Sequence, residues 1–169
     1  MGGRLWSIVE RMLEALMAAF LLAMALITGA DVVGRYFLNA PIPGGYEIVQ
    51  YLMALSVFAA LPLATRADGH LTISLFTDRL QGRRKRVHRV VVLLVSSMTL
   101  AFLAWRMGEQ AAVLARRQMT SGSLGLPLAP IAWTMTALAW LSVVVSVALI
   151  IEAVTGRETA RIRRGEDVG

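Results

Sequence analysis

The sequence predicts an all-α integral membrane protein with four transmembrane helices and both termini in the cytoplasm. Three observations carry that prediction. Hydrophobic residues make up 57% of the 169-residue chain with glycine left out of the count, whereas soluble domains are about 45–50% apolar with glycine included. Four charge-poor segments approach or exceed the ~20 residues a spanning helix needs. The basic residues are divided unequally between alternate connections. Four spans need only about half of the chain, which leaves no room for a large catalytic domain beside them. The absence of cysteine excludes thiol catalysis, iron–sulfur clusters and thiolate zinc sites.

The first helix is expected at about 12–34, an apolar run interrupted only by Glu14 and Asp31. Arg4 and Arg11 precede it, as they would in a secretory leader. Glu10, Glu14 and a poor cleavage site at Gly29-Ala30 favour a retained helix. The second helix, at about 47–65, is uncharged from Ile48 to Thr65 and opens on Glu47, whose charge complements the positive end of the helix dipole. Between the second and third helices, Leu71, Leu75, Phe76 and Leu80 share one broad helical face, which suits an interfacial helix at about 71–81. An extension of the second helix fits the same pattern. The third helix is expected at about 87–108. The fourth lies at about 127–154, with Pro127 and Pro130 at its start, where a missing N–H is tolerated. A basic tail, 155–169, completes a single membrane domain. Apolar residues fill every face of these segments, and lipid obliges each to satisfy its backbone as a helix.

Charge gives the orientation. The formal net charge of +6 and a pI near 11.0 resemble a nucleic-acid binder until the cations are placed. Arg4 and Arg11, the seven from Arg66 to Arg89, and the four tail arginines from Arg157 to Arg164 total thirteen. Arg35, Arg106, Arg116 and Arg117 make only four on the other side. The positive-inside rule sets the thirteen in the cytoplasm. The basic run from Arg83 to Arg89 is thus first a topology signal and second a contact for anionic membrane lipid; no nucleic-acid partner is expected. Trp6, Tyr36, Tyr46, Trp105 and Trp133 fall near expected helix ends, where amphipathic rings favour the interface.

Few residues suggest chemistry. His70 and His88 both lie outside the expected spans, which argues against a bis-histidine haem. No cofactor, metal site or catalytic residue is expected. A carboxylate inside a span is a functional hypothesis by default, but Glu14 sits close enough to the helix start to snorkel toward Arg11. Asp31 and Arg35 stand four apart in the favourable order for an ion pair. With Glu47 they are expected to close one small cluster at the mouth of the first hairpin, Arg35 and Glu47 fixing it. Small residues recur at four-residue spacing as Ala15, Ala19 and Ala23 and as Ser56, Ala60 and Ala64, a pattern that lets helices approach closely.

Several landmarks in order resemble one family. Arg35-Tyr36 is followed by the turn Pro41-Ile42-Pro43 and by Glu47. Arg66-Ala67-Asp68-Gly69-His70-Leu71 resembles an Arg-x-x-Gly-His-hydrophobic signature. Thr120-Ser121-Gly122-Ser123-Leu124-Gly125-Leu126-Pro127 resembles a polar stretch ending in Leu-Gly-hydrophobic-Pro. Across Leu13 to Val154 the chain is similar to the DctQ-like small membrane subunit of tripartite ATP-independent periplasmic (TRAP) transporters. It departs from many members at Tyr46-Glu47, where two acidic residues are common, and at Ala137-Leu138-Ala139, where a second proline is common.

The resemblance implies a non-enzymatic subunit of the bacterial inner membrane. Its implied partners are a large permease subunit, which carries the sodium and substrate sites and moves as an elevator, and a periplasmic substrate-binding protein that delivers an organic acid. The small subunit would act as scaffold and docking surface, with Asp31, Arg35, Glu47, Arg66, His70 and Pro127 as its structural or partner-contact residues. Two other readings remain open at this point: a four-helix membrane enzyme of glutathione-transferase type, and a small proton-coupled exporter using Glu14.

Overall fold

A computed structural model describes residues 2–77 and 83–155. Among them run α1 (Gly2–Phe37), α2 (Gly45–Thr77), α3 (Arg83–Arg116) and α4 (Leu128–Thr155). Each contains a stretch long and apolar enough to cross a membrane. The helices are longer than a bilayer requires. At 1.5 Å per residue the 36 residues of α1 extend about 54 Å, against a hydrocarbon core of ~30 Å. The excess carries the polar ends out of the apolar layer. Of the interfacial segment expected at 71–81, residues 71–77 continue α2 without a break; residues 78–81 lie outside the described residues.

The four helices form a row, not a closed bundle. α3 packs along α4, α4 also packs against α2, and α2 packs against α1; α3 barely touches α2. The order across the layer is therefore α1, α2, α4, α3. Burial is lowest in α1 and highest in α4. None of the most apolar 18-residue stretch of α1 is buried within the chain, whereas 39% of that of α4 is. The most buried helix is the last in sequence.

Small side chains make the α3–α4 seam. Ala104 and Ala139 are fully enclosed and pack with Val143, with Phe58, Leu100 and Ala101 against them. A Cβ added at Gly108 would sit 3.5 Å from Thr136 Cγ2, an ordinary van der Waals distance. Nearer the chain termini, Leu93, Val145, Leu149 and Ala153 form a second cluster, capped by Trp6, Val90 and Ile150. Lipid offers no hydrophobic drive for helix association, so close approach and dispersion have to hold such a seam, and alanine, serine and glycine permit that approach. Of the stripe expected on α1, Ala15 and Ala19 are exposed and Ala23 is half-buried.

Several hydroxyls inside the spans are turned back on their own helices, whereas the buried Ser146 Oγ has no hydrogen-bond partner among the described residues. Ser56, Thr65, Thr99, Thr134, Thr136, Ser142 and Thr155 each donate to the carbonyl four residues earlier, at 2.7–3.1 Å. That bond removes the cost of an unsatisfied polar group in an apolar medium. Pro62 lies inside α2 and is fully buried; neighbouring helices relieve the backbone groups that such a proline frees.

Candidate functional site

The α1–α2 turn and the α3–α4 loop lie at the same end of the layer, as the alternation of four helices requires. Local sequence shapes both connections. α1 closes on Gly34, whose carbonyl accepts from the N–H groups of Leu38 and Ala40. A Cβ there would come within 2.7 Å of the Ala40 oxygen. Asn39 follows with a φ of 53°, a left-handed geometry that asparagine tolerates. α3 ends on a Schellman turn: Met119 N–H reaches Leu114 O at 3.2 Å, and Gln118 N–H reaches Ala115 O at 3.3 Å. Gln118 occupies the left-handed position, φ 49°, usually held by glycine. Beyond it the chain folds into a tight loop closed by a bridge between Thr120 and Pro127. Ser121 N–H donates to Leu126 O at 2.8 Å, and Ser121 Oγ accepts from Leu126 N–H at 3.1 Å.

Glu47 fastens that loop to α2. Its carboxylate accepts from the backbone N–H of Ser123 at 2.7 Å and of Leu124 at 3.2 Å, across more than seventy residues of sequence. Two neighbours fit the latch closely. A Cβ on Gly122 would stand 3.4 Å from Glu47 Oε1, and one on Gly44, φ +72°, would lie 2.3–2.7 Å from the Leu124 side chain. Asp31 fastens the other connection. It accepts from Ile42 N–H at 2.8 Å and from Arg35 at 2.8 Å.

The single ion cluster expected of Asp31, Arg35 and Glu47 is thus corrected into two fastenings. Arg35 lies one turn from Asp31 on the same helix and pairs with it. Glu47 turns instead to free N–H groups of the α3–α4 loop. Backbone N–H groups with no helical partner are strong donors to a carboxylate, and they lie where α2 begins. Asp31, Arg35, Glu47, Gln50, Ile27 and Thr28 are among the residues lining an open cleft of about 520 Å³.

The remaining expected residues are elsewhere or serve differently. Pro127 is exposed at the entrance to α4 and takes part in the loop bridge. Arg66 lies at the opposite end of the layer, its guanidinium carbon 4.6 Å from the centre of the Trp6 ring. His70 belongs to the last turns of α2; its side chain lies outside the described residues. Glu14 is exposed on α1, away from the packed seam. The sequence reading missed Ser121, Ser123 and Leu124 as individual contacts. The polar run 120–125 ahead of a proline signalled a structured loop, but a bond over that separation leaves no local pattern.

At the hairpin end, then, two carboxylates hold backbone N–H groups, and the surface beside them is mixed polar and aromatic. Tyr36, Phe37 and Tyr46 are about four-fifths exposed there. Comparison with known proteins gives this arrangement its context. Residues 24–156 match the DctQ component of tripartite ATP-independent periplasmic transporters. The chain belongs to the DctQ family. It is also 25% identical over 126 residues to the ectoine TRAP transporter small permease protein TeaB of Halomonas elongata. That similarity covers 75% of this chain and 65% of TeaB, so the chain spans slightly less than two thirds of that relative. The family is a transporter component, and the four apolar helices agree with a multi-pass membrane protein.

Proposed function

We propose that this chain is the small permease subunit of a sodium-coupled TRAP transporter. In this reading it serves as a fixed membrane scaffold for a large elevator-type permease and helps dock a periplasmic binding protein that delivers an organic acid. The observation that carries the reading is the uneven burial of the helices. α1 is long enough to cross the membrane, yet no residue of its most apolar stretch is fully buried within the chain, and exposed leucine, valine and phenylalanine continue along α3. A large apolar partner beside lipid accounts for such faces. Several hydroxyls within the spans are spent on their own helices, which agrees with a transport site on another subunit.

The thirteen-to-four division of basic residues supports cytoplasmic termini in the bacterial inner membrane. That orientation turns the hairpin end, with the Glu47 latch and the Asp31 fastening, to the periplasm, where a binding protein docks. Copurification with the genomically adjacent large permease in mild detergent tests the reading. A stable complex, and loss of sodium-dependent uptake when this chain is deleted, are the expected results. A chain that runs alone, with uptake intact after its deletion, overturns it.

A further inference from the structure

The end of the layer away from the hairpins holds a different arrangement. α2 is uncharged from Ile48 to Thr65, so Arg66 is the first charge beyond its apolar run, and Trp6 of α1 meets it there. The guanidinium carbon lies 4.6 Å from the ring centre, within cation–π range. Trp6 itself packs against the cluster of Leu93, Val145, Leu149 and Ala153. The ring is thereby fixed, and it fixes the cation above it.

What distinguishes Arg66 is that, among the described residues, no anion pairs with it. Arg35 has Asp31 one turn away, and Arg106 has Glu109. Positions three and four from Arg66 in either direction are Pro62, Leu63, Gly69 and His70, so α2 offers it no carboxylate at the spacing of a helical ion pair. Among the described residues it makes no ion pair or hydrogen bond. Beside it the Trp6 indole N–H is buried with no acceptor. Among the described residues, neither the five guanidinium donors nor the indole donor of this half-buried corner meets an acceptor. A tryptophan and an arginine at the end of an apolar run are the side chains that favour the membrane interface.

We infer that Arg66, held by Trp6, is a phospholipid-headgroup site in which the guanidinium donates to the lipid phosphate. Guanidinium and phosphate match in a planar, two-pronged pair, and the ring fixes the plane before the lipid arrives. The inference rests on the membrane placement of the helices and not on the identity of the partner subunit.

Native mass spectrometry of the full chain, purified in mild detergent and titrated with phosphatidylglycerol, tests it. Wild type should retain one tightly held phospholipid, and Arg66→Gln should weaken its binding about tenfold or more, as loss of a charge-assisted hydrogen bond does. Trp6→Phe, which keeps a ring and removes the N–H, should weaken it by a smaller factor. Arg11→Gln, an exposed arginine of the same end, should leave it unchanged. Wild type without bound lipid overturns the inference even if Arg66→Gln fails to fold. Equal loss in Arg11→Gln overturns it by showing a net-charge effect. Displacement of the lipid by an equal concentration of inorganic phosphate overturns it by showing a general anion site. A complex with the large permease that lacks this lipid and dissociates on Arg66→Gln overturns it in favour of a carboxylate from the partner.

Discussion

Gly44 is where the hairpin end is most exposed to a single added methyl group. Gly44→Ala would meet two separate costs. At a φ of +72° an alanine occupies the left-handed region, at about 1–2 kcal/mol. Its Cβ would also lie 2.3 Å from Leu124 Cγ and within 2.7 Å of both Leu124 methyls. Leu124 is more than a third exposed, so it can swing away, at the cost of an unfavourable rotamer, about 1 kcal/mol. The sum is about 2–3 kcal/mol. The two parts separate in a double-mutant cycle with Leu124→Ala, since trimming Leu124 removes the steric part and leaves the backbone part. Unfolding by SDS in mixed micelles, followed by tryptophan fluorescence, gives the free energies. Gly44→Ala with wild-type stability refutes the left-handed turn. A cost that persists in full when Leu124 is trimmed refutes the docking of the α3–α4 loop on α2.

The other fastenings and the seam have their own tests. Glu47→Gln removes the charge that holds the Ser123 and Leu124 N–H groups, so a cysteine introduced at Gly122 should react with a maleimide several-fold faster in that background; the chain's lack of native cysteine makes the reading clean. Ala139→Leu, at a fully enclosed position of the α3–α4 seam, should destabilise by about 1–3 kcal/mol through overpacking, measured by the same SDS titration. Gly108→Ala meets only an ordinary contact with Thr136, so it should be neutral or stabilising by up to about 1 kcal/mol. Glu14→Gln should leave reconstituted uptake unchanged, since Glu14 is exposed on α1 and lies outside the packed seam.

The legible part of this molecule was the part that lipid dictates. An apolar segment of spanning length has one way to satisfy its backbone, so the four helices follow from composition and charge spacing. The Asp31–Arg35 pair was legible for a related reason, because four residues is one helical turn. Glu47 was legible as a residue but not as a contact. Its partners lie more than seventy residues away, and nothing local in Ser123 or Leu124 announces an acceptor.

The packing shows the same division. Alanine stripes on α1 and α2 look in sequence like those on α3 and α4, yet Ala15 and Ala19 stay exposed while Ala104 and Ala139 are enclosed. Helices that are apolar all round carry no stripe to say which face meets a neighbour. Lipid and a packed helix select the same side chains. The sequence by itself therefore determined how many helices cross and how their charges divide. Only the tertiary structure decided that they stand in a row with α4 inside and α1 at the edge, that Glu47 ties α2 to the loop before α4, and that Arg66 meets Trp6. Each of these depends on which distant surfaces come together, and close approach between small residues is a property of pairs of helices that no single segment encodes.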